Sequence, residues 1–172
     1  MQFVHPKGPS IPLPHRGSVV AASLFIAFIL NILPWPVDYL WLRPDFLLLV
    51  TLYWVIYQPN HVGIGTAWWL GLLTDMSDGS RLGQHALAYA ITVFTLLLIQ
   101  RRMFNFPPWQ QAIPILSLLL IEQLICILIA TFVDDTRYTF HYFAAILTGT
   151  LCWIPLWMLL HRLRTPSTAD RQ

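Results

Sequence analysis

Six apolar stretches, joined by short polar segments, organise this chain. They cover about residues 18–36 (SVVAASLFIAFILNILPWP), 43–58 (RPDFLLLVTLYWVIYQ), 62–76 (VGIGTAWWLGLLTDM), 82–100 (LGQHALAYAITVFTLLLIQ), 111–133 and 139–160. None alternates apolar and polar residues as the strand of a membrane barrel does. Lipid offers no partner to open backbone groups, so runs of this kind predict helices. The expected fold class is an all-α integral membrane protein, a bundle of six transmembrane helices. The second and third stretches hold 16 and 15 residues, giving roughly 23 Å of helix against a ~30 Å hydrocarbon core. Such short spans need neighbouring protein, a thinned bilayer or a membrane-dipping lead-in, and residues 38–42 (DYLWL) can lead into the second. The organisation that follows is a flexible Pro-rich arm (1–17), a six-helix transmembrane domain (18–162) and a short tail (163–172).

Composition narrows the class. Of 172 residues, 56% are hydrophobic and 10% charged, whereas soluble domains carry about a quarter charged residues. The net charge of +2 and the lack of a basic aromatic patch argue against nucleic acid as a partner. Cys126 and Cys152 lie within apolar runs, without C-x-x-C spacing, as small packing residues would. The arm is followed by an apolar run that enters PWP with no small-residue cleavage site, so the first span is expected to stay uncleaved. With a cytoplasmic N-terminus, the inner segments hold Lys7, Arg16, Arg101, Arg102, Arg162, Arg164 and Arg171. The outer ones hold only Arg43, Arg81 and Arg137, together with Asp38, Asp45, Asp75, Asp78, Asp134 and Asp135. That asymmetry predicts both termini in the cytoplasm. Trp35, Trp41, Trp109 and Trp153 lie near stretch ends, where interfacial anchors belong.

The candidate chemistry is sparse. Gly63, Ala67 and Gly71 form a period-four row that continues through Asp75 to Gly79, while Trp68 and Trp69 fall off it. Small residues in such a row let a second helix approach closely, within the bundle or in a partner; ordinary glycine usage in a membrane helix is the alternative. TDMSDGSRLG, with Asp75, Asp78, Gly79, Arg81 and Gly83, fits neither a calcium loop nor a phosphate loop. It reads either as a proton or ion relay or as an interfacial turn with a local Asp–Arg pair. In RPD, Pro44 suits a first helical turn and Asp45 a helix N-terminus. Arg43 can reach the headgroups, or with Asp45 meet the Asp75–Arg81 turn. Glu122 is the one charged residue deep inside a stretch, beside Gln123, with His85 or Asp75 as conceivable partners. His85 has no second His or Cys at ligand spacing, so neither a metal nor a cofactor is expected. No nucleophile elbow, zinc-protease motif or pair of acids embedded in apolar helices points to an enzyme.

Taken in order, LPWP, RPDFLLLVTLYWVIYQP, GIGTAWWLGLLTDMSDGSRLGQHAL and WQQA resemble the rod shape-determining protein family MreD over nearly the whole chain after the arm. The most specific parts are RPD (43–45) and the G-x-x-x-D…G…LG pattern of Gly71, Asp75, Gly79, Leu82 and Gly83. The resemblance implies a non-enzymatic component of the cell-elongation machinery in the bacterial inner membrane. Its implied partners are MreC and, in the same complex, MreB, an elongation glycosyltransferase and a penicillin-binding transpeptidase, with membrane lipid around it. The family is similar in architecture to the six-helix substrate-binding components of vitamin transporters. That likeness keeps a second expectation in view: a membrane substrate-binding or proton-coupled transport component using Glu122 and Asp75.

Overall fold

Prolines and capping side chains decide where the six apolar stretches become helix. The computed structural model describes residues 16–36, 39, 42–134 and 143–164. Its helices are α1 (Arg16–Ile32), α2 (Phe46–Tyr57), α3 (Ile64–Asp78), α4 (Gln84–Met103), α5 (Pro108–Asp134) and α6 (Ala144–Arg164). The arm up to residue 15, most of the DYLWL lead-in with Trp41, the segment carrying Asp135 and Arg137, and the tail beyond 164 lie outside the described residues.

The boundaries depart from the apolar pattern for local reasons. Helix α1 stops at Ile32 because Pro34 and Pro36 follow, and proline disfavours helix in the residue before it. Helix α2 starts at Phe46, since the Asp45 carboxylate accepts the backbone N–H of Leu48 at 3.0 Å as its N-cap. Pro44 therefore precedes the cap and is not in the first helical turn, correcting the expectation from RPD. Helix α4 continues through Arg101 and Arg102, whose charges complement the carbonyl end of its dipole. Helix α5 then opens on Pro108, where a missing N–H costs nothing. Between them the Gln111 amide donates to the carbonyls of Met103 and Phe106, each at 2.9 Å, and closes the joint.

Contacts among the helices form a closed circuit: α1 meets α3, α3 meets α4, α4 meets α5, α5 meets α6, and α6 returns to α1. Helix α2 stands inside this ring, against α1, α3, α4 and α6. Every residue of α2 from Leu47 to Ile56 is buried. This accounts for a stretch that is apolar all round yet only 12 residues long, about 18 Å of helix. Its surroundings are protein, so its length does not have to match a bilayer. Helices α4, α5 and α6 are long and apolar enough to cross a membrane, whereas α1 and α2 are apolar but shorter. Trp153, expected at an interface, is instead fully buried in the middle of α6.

The small-residue row on α3 divides. An added Cβ on Gly71 would lie 2.5 Å from the Cα of Ala86 and 2.6 Å from the His85 carbonyl oxygen. The close approach is thus between α3 and α4 of the same chain, and Ala67 is also fully buried. Gly63 does not take part: it caps α3, and a Cβ there meets nothing within 4 Å. Trp68 and Trp69 point away, 41% and 64% exposed. Gly71→Ala is expected to lower the thermal midpoint in detergent by the equivalent of about 1–3 kcal/mol, because backbone must move. Gly63→Ala is expected to cost less than about 1 kcal/mol. Equal midpoints for the two variants would refute the α3–α4 contact.

Candidate functional site

The polar residues of the chain converge where α1 and α3 end and α2, α4 and α6 begin. The starting point is Gly83, which caps α4 at φ +102 and has no side chain to offer. The first backbone N–H groups of α4 would then be left unsatisfied in an apolar setting. Asp75, on the last turn of α3, takes that role from outside the helix. Its Oδ1 accepts the His85 N–H at 2.8 Å, and its Oδ2 accepts the Gly83 N–H at 2.8 Å and the Ala86 N–H at 3.4 Å. Ser80 Oγ donates to Oδ1 at 2.8 Å, and His85 Nδ1 lies 2.9 Å from it. The side chain of Asp75 is fully buried. Gly71 makes this possible, since only a glycine lets the two backbones come close enough one turn earlier. Gly79, at φ +66, ends α3 in the left-handed region that glycine adopts without strain.

A second carboxylate joins the other helices. Asp45 caps α2, receives the Asn31 side-chain amide of α1 at 2.8 Å, and accepts a hydrogen bond from the hydroxyl of Tyr89 on α4. Asn31 in turn accepts the Phe46 N–H at 3.0 Å, and Tyr89 lies 3.4 Å from Thr74 of α3. On the rim, Arg43 pairs with Asp78 at 3.3 Å, so RPD and the α3–α4 turn do meet. Asp78 thus takes its ion pair from the RPD segment. Asp75 is satisfied by backbone, Ser80 and His85, and Asp78 by Arg43, while the exposed Arg81 accepts the Gln84 N–H through its carbonyl at 3.0 Å.

Glu122, Gln123 and Cys126 of α5 face this assembly across a cavity of about 460 Å³. Asn31, Arg43, Pro44, Asp45, Thr74, Asp78, Ser80, Gln84 and His85 line its other walls. That volume is in the range of small-ligand sites, roughly 300–1,000 Å³. The cavity reaches Glu122, which a ligand-binding reading requires. Glu122 is 7% exposed and accepts the thiol of Cys126 at 3.3 Å. Sequence reasoning treated Glu122 as the one deeply placed acid, but Asp75 is just as buried. It also passed over Asn31, Tyr89 and the role of Cys126. Asn31 left a signal, as the one polar residue in LFIAFILNIL; Tyr89 left none. Spacing along the chain hides the neighbours of His85, because Glu122 and Cys126 come from another helix.

All of these residues lie within residues 16–163, the part of the chain that matches the family described as rod shape-determining protein MreD. The chain belongs to the MreD family. It is 31% identical over 145 residues to the rod shape-determining protein MreD of Haemophilus influenzae, covering 84% of this chain and 90% of that relative. No solved structure matches. MreD membership gives the chain a role in rod shape determination within a structural family not known for enzymes, and with the three long apolar helices it marks a membrane protein.

The two acids of the MreD turn should differ sharply in weight. Asp75→Ala strands buried N–H groups at about 1–3 kcal/mol each, so a large fall in thermal midpoint is expected. Asp78→Ala removes a half-exposed ion pair of about 0–1 kcal/mol. Unfolding of both variants in detergent checks this, and a larger loss in Asp78→Ala would contradict the capping role of Asp75.

Proposed function

We propose that this MreD-family chain is a non-enzymatic scaffold of the cell-elongation machinery in the bacterial inner membrane. It crosses the membrane six times with both termini cytoplasmic, as one domain between the Pro-rich arm and the tail. It binds MreC and helps couple MreB filaments, through an elongation glycosyltransferase and a penicillin-binding transpeptidase, to lateral peptidoglycan synthesis. The observation that carries this reading is the family match over residues 16–163. The surface of α1 is compatible with it: Phe25, Ile26, Ile29 and Leu30 are 64%, 57%, 43% and 41% exposed. They form a continuous apolar face that lipid or a partner helix can cover. In this reading Gly71 and Ala67 keep α3 on α4, while the RPD residues and the α3–α4 turn give the outer end its shape.

One observation favours a second reading, a substrate-binding or proton-coupled transport component. A cavity of about 460 Å³ with polar walls reaches Glu122, and a pure scaffold has no need of it. Gentle-detergent purification of the tagged chain from its native membrane, with mass spectrometry of everything retained, separates the two. Recovery of an MreC-like protein and wall-synthesis enzymes is expected. Recovery of an ATPase module or a stoichiometric small molecule in their place would overturn the scaffold reading.

A further inference from the structure

Of the carboxylates in and beside the cavity, Glu122 is the least satisfied. Asp75 accepts backbone N–H groups and the Ser80 hydroxyl, Asp45 accepts an amide and a phenol, and Asp78 pairs with Arg43. Among the described residues Glu122 has a single hydrogen bond, from the weak S–H donor of Cys126. Residues 122 and 126 are one helical turn apart and share a face of α5. That face meets His85 in the first turn of α4. A ring nitrogen of His85, a carboxylate oxygen of Glu122 and the Sγ of Cys126 lie within 4.8 Å of one another.

We propose that His85, Glu122 and Cys126 bind one divalent metal ion of the zinc class. The donor set is the first reason: imidazole, carboxylate and thiolate together suit a borderline-soft ion and disfavour magnesium or calcium. Geometry is the second. Bonds of about 2.0–2.3 Å place tetrahedral ligands roughly 3.3–3.8 Å apart. The Glu122–Cys126 separation of 3.3 Å already fits, and the His85 nitrogen, within 4.8 Å of both, has to close by no more than about 1.5 Å. The third is the setting of the histidine. Its Nδ1 is held by the buried Asp75 at 2.9 Å, which leaves Nε2 as the donor. A carboxylate behind a ligating histidine is what fixes ring orientation in zinc sites. Charge is the fourth, because a dication balances one carboxylate and one thiolate and leaves a neutral group in a low-dielectric interior. Binding releases the thiol proton. All three side chains line the cavity, so a fourth donor, water or a ligand atom, can reach the ion from there. The site does not rest on the scaffold reading.

The test uses the full chain in detergent, purified through a tag without histidines, stripped with a chelator and titrated with Co²⁺ alone. One Co²⁺ per chain is expected, with a near-ultraviolet thiolate-to-cobalt band that Zn²⁺ abolishes. Cys126→Ser should remove the band, and Glu122→Gln should weaken binding at least about tenfold. Because the chain has two cysteines, Cys152→Ser leaves Cys126 as its sole thiol; a band in that variant assigns the ligand even if Cys126→Ser does not fold. Absence of the band in the unmodified chain, its persistence in folded Cys126→Ser or its loss in folded Cys152→Ser would overturn the site. So would stoichiometric recovery of an organic amine from a chain that takes up no Co²⁺.

Discussion

The arrangement depends first on a helix that cannot cap itself. Gly83 gives the chain the backbone angle it needs to enter α4 but supplies no acceptor for the N–H groups that follow. In water this would matter little, because solvent would fill the gap. Beside apolar side chains an unmet donor costs the full desolvation of the group. The carboxylate of Asp75 meets those donors from the neighbouring helix. It can do so only because Gly71 permits backbone contact one turn away. Helices α3 and α4 are therefore locked in register by polar chemistry at one end and by the absence of a side chain in the middle.

The same division of labour extends to the rest of the bundle. Apolar contact between helices in lipid gains little from hydrophobicity itself, since lipid tails are equally apolar, and packing alone tolerates sliding. Directional bonds remove that freedom. Asp45 draws α1, α2 and α4 together through Asn31, Leu48 and Tyr89. Thr148 of α6 donates to the Leu42 carbonyl at 2.8 Å. At the other end Tyr57 accepts from Trp157 at 2.7 Å and from Gln111 at 3.0 Å. The buried middle supplies density, and the two polar ends supply position.

The apolar pattern made the six helices legible, because each apolar stretch holds one helix, although only α4, α5 and α6 are long and apolar enough to cross a membrane. Their ends were less legible, since Asp45 and Pro108 act through single local bonds that a smooth pattern cannot register. The α3–α4 turn was visible as a cluster, and Gly71 as a site of close approach. The partners of Asp75 were not, because backbone N–H groups carry no letter in a sequence. Glu122 drew attention as a charge among leucines, but its neighbours did not: His85 and Cys126 lie 37 and 4 positions away, and only helix packing makes both distances short. The place of Trp153 in the core was likewise hidden, since tryptophan suits an interface and an interior equally well.

The enclosure of α2 also has a consequence for how the chain is made. Four of its neighbours are α1, α3, α4 and α6, and three of these are synthesised after it. When α2 leaves the ribosome, most of its final surroundings do not yet exist, and alone it is too short to span a bilayer comfortably. Its enclosure is complete only when α6 arrives and the ring shuts around it. A chain that ends before α6 thus leaves one side of α2 uncovered.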